Sequence, residues 1–250
     1  MTLYVPSPDG VRIAYEVTGE GKPIVLIHGF ASSREQNWRS TGWIERLAAE
    51  GFRLVSFDCR GHGKSDKPHE PAAYGEHMIA DILAVMDSAQ APAADIMGYS
   101  MGGMLTIRLL MRNSERVRRA VVAGLGANYF AEAQAWRAMI AAALEADDID
   151  TIEDRVARRF RIFGAQKGKD RLALAACMRS PRHKYVAADL KHSTRPVLVV
   201  CGGKDDLVGS PQPLADAFAD GRAVTLPGKD HMTAVGDPAY KKAVLQFLDG

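Results

Sequence analysis

The run Gly98-Tyr99-Ser100-Met101-Gly102, followed at once by Gly103, constrains this chain more than any other stretch. To its left, Ala94-Asp95-Ile96-Met97 reads as a short strand; to its right, Met104 to Met111 reads as a helix of good formers. A serine on a sharp strand-to-helix turn is driven into unfavourable backbone angles that present its hydroxyl at the tip. Gly98 and Gly102 lack a Cβ, so strand and helix can close around it. The helix N-terminus aims its amides at the same point and favours negative charge developing there. Alone, the stretch is equally a Gly/Ser turn between two ordinary elements; the rest of the chain has to decide.

Elsewhere strands and helices alternate. Leu3–Val5 and Val11–Val17 are β-rich runs around Pro6-Ser7-Pro8-Asp9-Gly10, which reads as a hairpin turn. Ile24-Val25-Leu26-Ile27 is continuously apolar, the pattern of a strand buried on both faces of a parallel sheet, and runs into His28-Gly29-Phe30-Ala31-Ser32-Ser33. A helix over Trp43–Glu50, a strand over Arg53–Phe57, a helix over Tyr74–Ala89 and a strand over Val117–Ala123 follow. From Gly126 to Ser193 the spacing is helical, with no convincing strand. Alternation then resumes with strand Pro196–Val200, helix Pro213–Ala219, strand Ala223–Leu226 and a helix from Asp237 to Leu248. This order predicts an α/β fold: a mostly parallel central sheet with helices on both faces. In such sheets the working loops lie at the carboxyl ends of the strands.

With 250 residues the chain has room for a large core, and 47% hydrophobic with 25% charged residues is an ordinary globular balance. A net charge of +2, without a Lys/Arg run, gives no footprint for nucleic acid. Cys59, Cys177 and Cys201 are sparse and unpaired in spacing, as expected of reduced thiols. Neither a signal-like N-terminus nor a bilayer-length apolar run is visible, so a cytoplasmic protein away from membranes is expected. No metal-ligand spacing and no phosphate or dinucleotide loop is present, so the expected chemistry needs no cofactor.

A serine hydroxyl needs an adjacent base to become a nucleophile. Histidine, with an ordinary pKa of about 6.5, suits that role near neutral pH, and a carboxylate fixes its tautomer. Asp205 follows one late strand within Gly202-Gly203-Lys204-Asp205-Asp206, and His231 follows the next within Gly228-Lys229-Asp230-His231. Ser100, then Asp205, then His231 is the chain order of the α/β-hydrolases. Asp206 is the rival for the acid, because register after a strand is open at this level.

On these residues the chain resembles the α/β-hydrolase fold superfamily, of the serine esterase and C–C hydrolase type. The likeness runs from His28-Gly29-Phe30 to the last helix. It includes Gly98 to Gly102 and the loop Asp58-x-Arg60-Gly61-His62-Gly63-x-Ser65, a structural turn in that family. The resemblance implies a core domain of residues 1–125 and 194–250, with 126–193 as a helical cap insertion. It implies catalytic Ser100, Asp205 and His231, and the backbone N–H groups of Phe30 and Met101 as oxyanion donors. The cap side chains Trp136, Met139 and Phe163 are expected either to line a substrate pocket or to pack within the cap. His28 and His62 read as loop-bracing residues, Cys59 and Cys201 as small buried apolar ones, Asp230 as a solvated neighbour, and Arg155, Arg158, Arg159 and Arg161 as a solvated helix face.

The expected function is hydrolysis of small to medium hydrophobic carboxylic esters through an acyl-enzyme, faster as rising pH frees the base. Cleavage of C–C bonds in ring-cleavage products is an alternative with the same triad, suggested by Trp38 downstream of the His28 loop, although no carboxylate clamp is evident. Acyl transfer or perhydrolysis, and a ligand receptor without turnover, are the others. The partner in most of these is a small-molecule ester or carbonyl compound.

Overall fold

A computed structural model describes residues 1–249. The strands are β1 (Leu3–Pro6), β2 (Arg12–Thr18), β3 (Lys22–Ile27), β4 (Phe52–Phe57), β5 (Ala94–Tyr99), β6 (Val117–Ala123), β7 (Val197–Gly202) and β8 (Gly221–Leu226). They form one eight-stranded sheet in the order β1-β2-β4-β3-β5-β6-β7-β8. β1 and β2 form the expected hairpin, turned at Gly10 (φ 85°), and β2 pairs antiparallel with β4; every other pairing is parallel.

The faces of the sheet explain the continuous apolar strands. In β3, Val25 and Ile27 enter one core cluster while Ile24 and Leu26 enter another on the opposite face. Helices α1 (Trp43–Ala49) and α9 (Pro238–Asp249) cover the second cluster; α2 (His77–Ser88), α3 (Met101–Arg112) and α8 (Gln212–Asp216) cover the first. Helix α2 starts at His77 rather than Tyr74, because Gly75 (φ 67°) turns the chain before it. A π-helical turn at Glu35–Arg39, with no apolar periodicity, is an addition to the expected elements. Its Trp38 is fully buried in the α1/α9 core beside Trp43, away from the loop it follows.

Between residues 126 and 193 lie α4 (Gln134–Glu145), α5 (Arg155–Gly164), α6 (Arg171–Arg179) and α7 (Ala187–Leu190). Asp154 caps α5 through Ala157 N (2.8 Å), and Asp170 caps α6 through Leu172 N and Ala173 N (3.0 and 3.1 Å). α4, α5 and α6 enclose a separate cluster of Ile140, Leu144, Ala157, Leu174 and Met178, joined by Ala31 from the loop after β3. Helix α6 is also the joint to the main core, because its Ala176 and Cys177 belong to that cluster. Of the arginines on α5, Arg155 and Arg159 are exposed, while Arg158 pairs with Asp150 and Arg161 Nε donates to Ala146 O (2.9 Å).

Strand order reverses around β3: the chain steps out to β4, then crosses back to β5 on the other side. That switch point opens a crevice at the carboxyl ends of β3 and β5. The loop beyond β4 is held rigidly beside it. Arg60, fully buried, donates twice to Asp81 (Nε 2.7 Å, Nη2 2.6 Å) and pairs with Asp9 at 2.7 Å. Arg60→Leu strands the buried Asp81 carboxylate. It should destabilise the fold by about 3–5 kcal/mol in urea denaturation; a loss below 1 kcal/mol would contradict this role for the pair.

Candidate active site

At the crevice Ser100 adopts φ 54°, ψ −111°, one of three non-glycine residues with positive φ among those described. Its N–H donates to Ala123 O (2.7 Å) across to β6, and its carbonyl accepts from Met104 N (3.1 Å) in the first turn of α3. The glycine requirement is steric. A Cβ on Gly98 would lie 2.1 Å from Gly102 O, and one on Gly102 would lie 2.0 Å from Ile27 O. Strand, turn and helix are therefore in backbone contact, and also contact the end of β3.

Two loops bring the other groups in. Asp205 lies in the turn after β7 and His231 in the turn after β8; Gly203 N donates to Leu226 O and Lys204 N to Lys229 O, each at 2.8 Å, locking the turns together. His231 Nδ1 lies 2.7 Å from Asp205 Oδ2, and Nε2 lies 3.0 Å from Ser100 Oγ. With a carboxylate at Nδ1, that nitrogen carries the proton and Nε2 offers its lone pair to the serine O–H. The side chain of Asp205 is fully buried and its Oδ1 accepts from Leu207 N (3.2 Å), whereas Asp206 is exposed. Between the two, only Asp205 meets the imidazole. Asp230 is occupied by its own turn, accepting from Met232 N, Thr233 N and Thr233 Oγ, and those bonds hold its carboxyl below the usual carboxylate range. Tyr99 Oη donates to His231 O (2.6 Å), fixing the histidine backbone from beneath, a role the sequence did not signal.

The His28-Gly29-Phe30 loop lies directly against the serine: a Cβ on Gly29 would come within 3.5 Å of Ser100 Cβ. Gly29 N donates to Asn37 Oδ1 (3.0 Å), from the π-helical turn. The N–H groups of Phe30 and Met101 have no acceptor within the described protein; Met101 is the first residue of α3, where helix amides lack intrahelical partners.

His28 and His62 brace this region. His28 Nδ1 donates to Gly29 O (2.7 Å) and its Nε2 accepts from Cys59 N (3.0 Å); His62 Nδ1 donates to Arg60 O (2.9 Å). Burial pushes His28 down to about 4; burial, and then the charge of His28, push His62 down to about 3. Cys59, Cys177 and Cys201 are buried free thiols. Trp136, Met139 and Phe163 are half-buried and pack on the α4–α6 cluster, with Phe160 T-stacked on Trp136 at 5.7 Å. Phe30 extends this aromatic wall toward the serine, 5.9 Å from Phe160 and 5.7 Å from His62. Among the described residues no group of three or more His, Cys, Asp or Glu could hold a metal, and no helix is long and apolar enough to cross a membrane.

A family model described as the alpha/beta hydrolase fold matches residues 22–177. The chain belongs to the α/β-hydrolase fold family. Within that family it is 33% identical over 113 residues to the AB hydrolase superfamily protein YisY of Bacillus subtilis, covering 45% of this chain and 41% of that protein. The chain spans less than half the length of the curated relatives it matches first. A solved hydrolase from Pseudomonas aeruginosa superposes with a TM-score of 0.83 at 27% identity, over 100% of this chain and 98% of that one. The enol-lactonase of Burkholderia xenovorans shares the fold, with a TM-score of 0.75 at 24% identity over 99% and 100% of the two chains.

Two predictions concern the integrity of this site. Gly102→Ala forces β3 and α3 apart and should lower stability by about 1–3 kcal/mol or more, read by urea denaturation; a variant as stable as the parent would show the contact to be slack. For the two histidines, the folded values lie below the unfolded value of 6.5. The unfolded chain therefore binds more protons, and the stability present above pH 6.5 is lost as pH falls toward the folded values. Urea denaturation at pH 7.5 and 5.0 should differ by about 2–4 kcal/mol; equal stabilities would mean that these imidazoles are not buried neutral.

Proposed function

We propose that the chain is a serine hydrolase that cleaves carboxylic esters through an acyl-enzyme. The observation that carries this reading is the line Ser100 Oγ, His231 Nε2, His231 Nδ1, Asp205 Oδ2, with separations of 3.0 and 2.7 Å at its two hydrogen bonds. Ser100 Oγ attacks the ester carbonyl as His231 Nε2 takes its proton; the imidazolium then protonates the leaving alcohol. In the second half, His231 takes a proton from water, hydroxide adds to the acyl carbonyl, and Ser100 leaves with its proton restored. Asp205 keeps Nδ1 protonated and stabilises the imidazolium formed twice in the cycle.

The N–H groups of Phe30 and Met101 are the proposed oxyanion donors, and their lack of an acceptor among the described residues supports that role. Residues 126–193 act as the cap over a core of residues 1–125 and 194–250. The aromatic wall of Trp136, Phe160, Phe163 and Phe30, with Met139, supports a hydrophobic acyl or alkyl group as substrate. A lactone is a cyclic ester, so the likeness in fold to the enol-lactonase is compatible with this chemistry.

Ester turnover of a p-nitrophenyl acyl series should be lost in Ser100→Ala by roughly 10³-fold or more in kcat. A β-diketone-like ring-cleavage product should stay intact in the same assay. Undiminished ester turnover by Ser100→Ala would end the proposal.

A further inference from the structure

Lys169 lies in the turn between α5 and α6, and its Nζ is buried without a hydrogen-bond partner. The amine sits 3.1 Å from the centroid of the Phe163 ring. A lysine with a purely structural role lays its stem on apolar surface and keeps the ammonium in water. Here the ammonium itself is turned inward. Aromatic faces attract a cation, but they do not replace the acceptors it loses on leaving water.

No carboxylate among the described residues answers it. Asp170, the next residue, caps α6 and binds His69 at 2.9 Å; Asp58, beyond β4, is held by Arg34 at 2.7 Å. Burial pushes the amine down to about 8, which leaves it mostly charged at neutral pH.

The surroundings connect this cation to the site. Phe163, under the amine, packs on the same small core as Phe160 and Trp136, and the Phe160 ring lies 5.9 Å from that of Phe30, whose backbone N–H is one of the proposed oxyanion donors. The charge of Lys169 also reaches far enough to help depress His28 and His62, the histidines bracing that loop.

We propose that Lys169 is a specificity-determining residue whose ammonium receives a carboxylate on the acyl part of the substrate, remote from the ester that Ser100 attacks in the reaction proposed above. The preferred substrates would then be monoesters of dicarboxylic acids. The aromatic wall would carry the methylene spacer, and the lysine would neutralise the far end. A charge-assisted hydrogen bond in such a site is worth about 10- to 100-fold in binding.

The test compares p-nitrophenyl monoesters of succinic, glutaric and adipic acids with the neutral p-nitrophenyl esters of equal chain length, in the parent and in Lys169→Met. In the parent, kcat/KM should favour the carboxylate ester at one or more spacer lengths. In Lys169→Met that ratio should fall about 10- to 100-fold, mostly through KM. A parent that prefers the neutral ester at every length, or an unchanged ratio in the variant, overturns the proposal.

Calorimetric binding of monomethyl adipate to Ser100→Ala and to Ser100→Ala/Lys169→Met separates this from the ester-hydrolase reading. If no ester is turned over but the lysine variant loses binding, the reaction assignment fails and the carboxylate site stands. If neither variant binds, or both bind equally, the carboxylate site falls.

Discussion

Backbone contact between β5, the turn at Ser100 and α3 is the constraint on which the site depends. Ser100 is held in a conformation that costs on the order of 1–3 kcal/mol, and what holds it is the absence of side chains at Gly98 and Gly102 together with the bond from its N–H to Ala123 O. Because a Cβ on Gly102 would strike Ile27 O, the same contact fixes β3 against α3. The His28-Gly29-Phe30 loop at the end of β3 is thereby brought against the serine. One close approach thus sets the direction of the hydroxyl, the position of the Met101 N–H and the reach of the neighbouring loop.

Electrostatics around that turn are arranged with little free charge. Asp205 is buried, but its oxygens are spent on His231 and Leu207 N. The buried imidazoles of His28 and His62 are kept neutral and serve as hydrogen-bonding braces. Arg34 is matched by Asp58, and Arg60 by Asp81 and Asp9. Lys169 differs from these pairs, because its buried ammonium has no hydrogen-bond partner among the described residues.

Much of this was legible in the sequence because it rests on local physics. All eight strands appear in the sequence as apolar or β-branched runs; the longest apolar ones, β3, β5 and β7, are buried on both faces of the parallel part of the sheet, and the parallel order from β3 onward follows from the helices between those strands. The positions of Ser100 and His231 were legible because glycine-marked turns follow their strands. The choice between Asp205 and Asp206 was not: adjacent residues in a turn point in different directions, and only the register of Gly202 to Lys204 against the β8 turn selects one. The turn at Glu35–Arg39 was hidden because it has neither apolar periodicity nor a cap, yet it supplies Asn37 to the loop beside the serine. Trp38 shows the converse, a motif-like position that is spent on the core. Lys169 could not be distinguished from a solvated lysine, because its meaning lies in tertiary contacts with Phe163 and in the absence of a carboxylate partner.

The central claim is that an aligned imidazole makes the hydroxyl of Ser100 nucleophilic, and stoichiometric phosphonylation tests it most directly. Treatment with a fluorophosphonate, followed by intact mass and peptide mapping, should give a single adduct on Ser100, formed rapidly in the parent and far more slowly in His231→Ala. An unlabelled protein, an adduct on another residue, or equal rates in the two proteins would contradict the account.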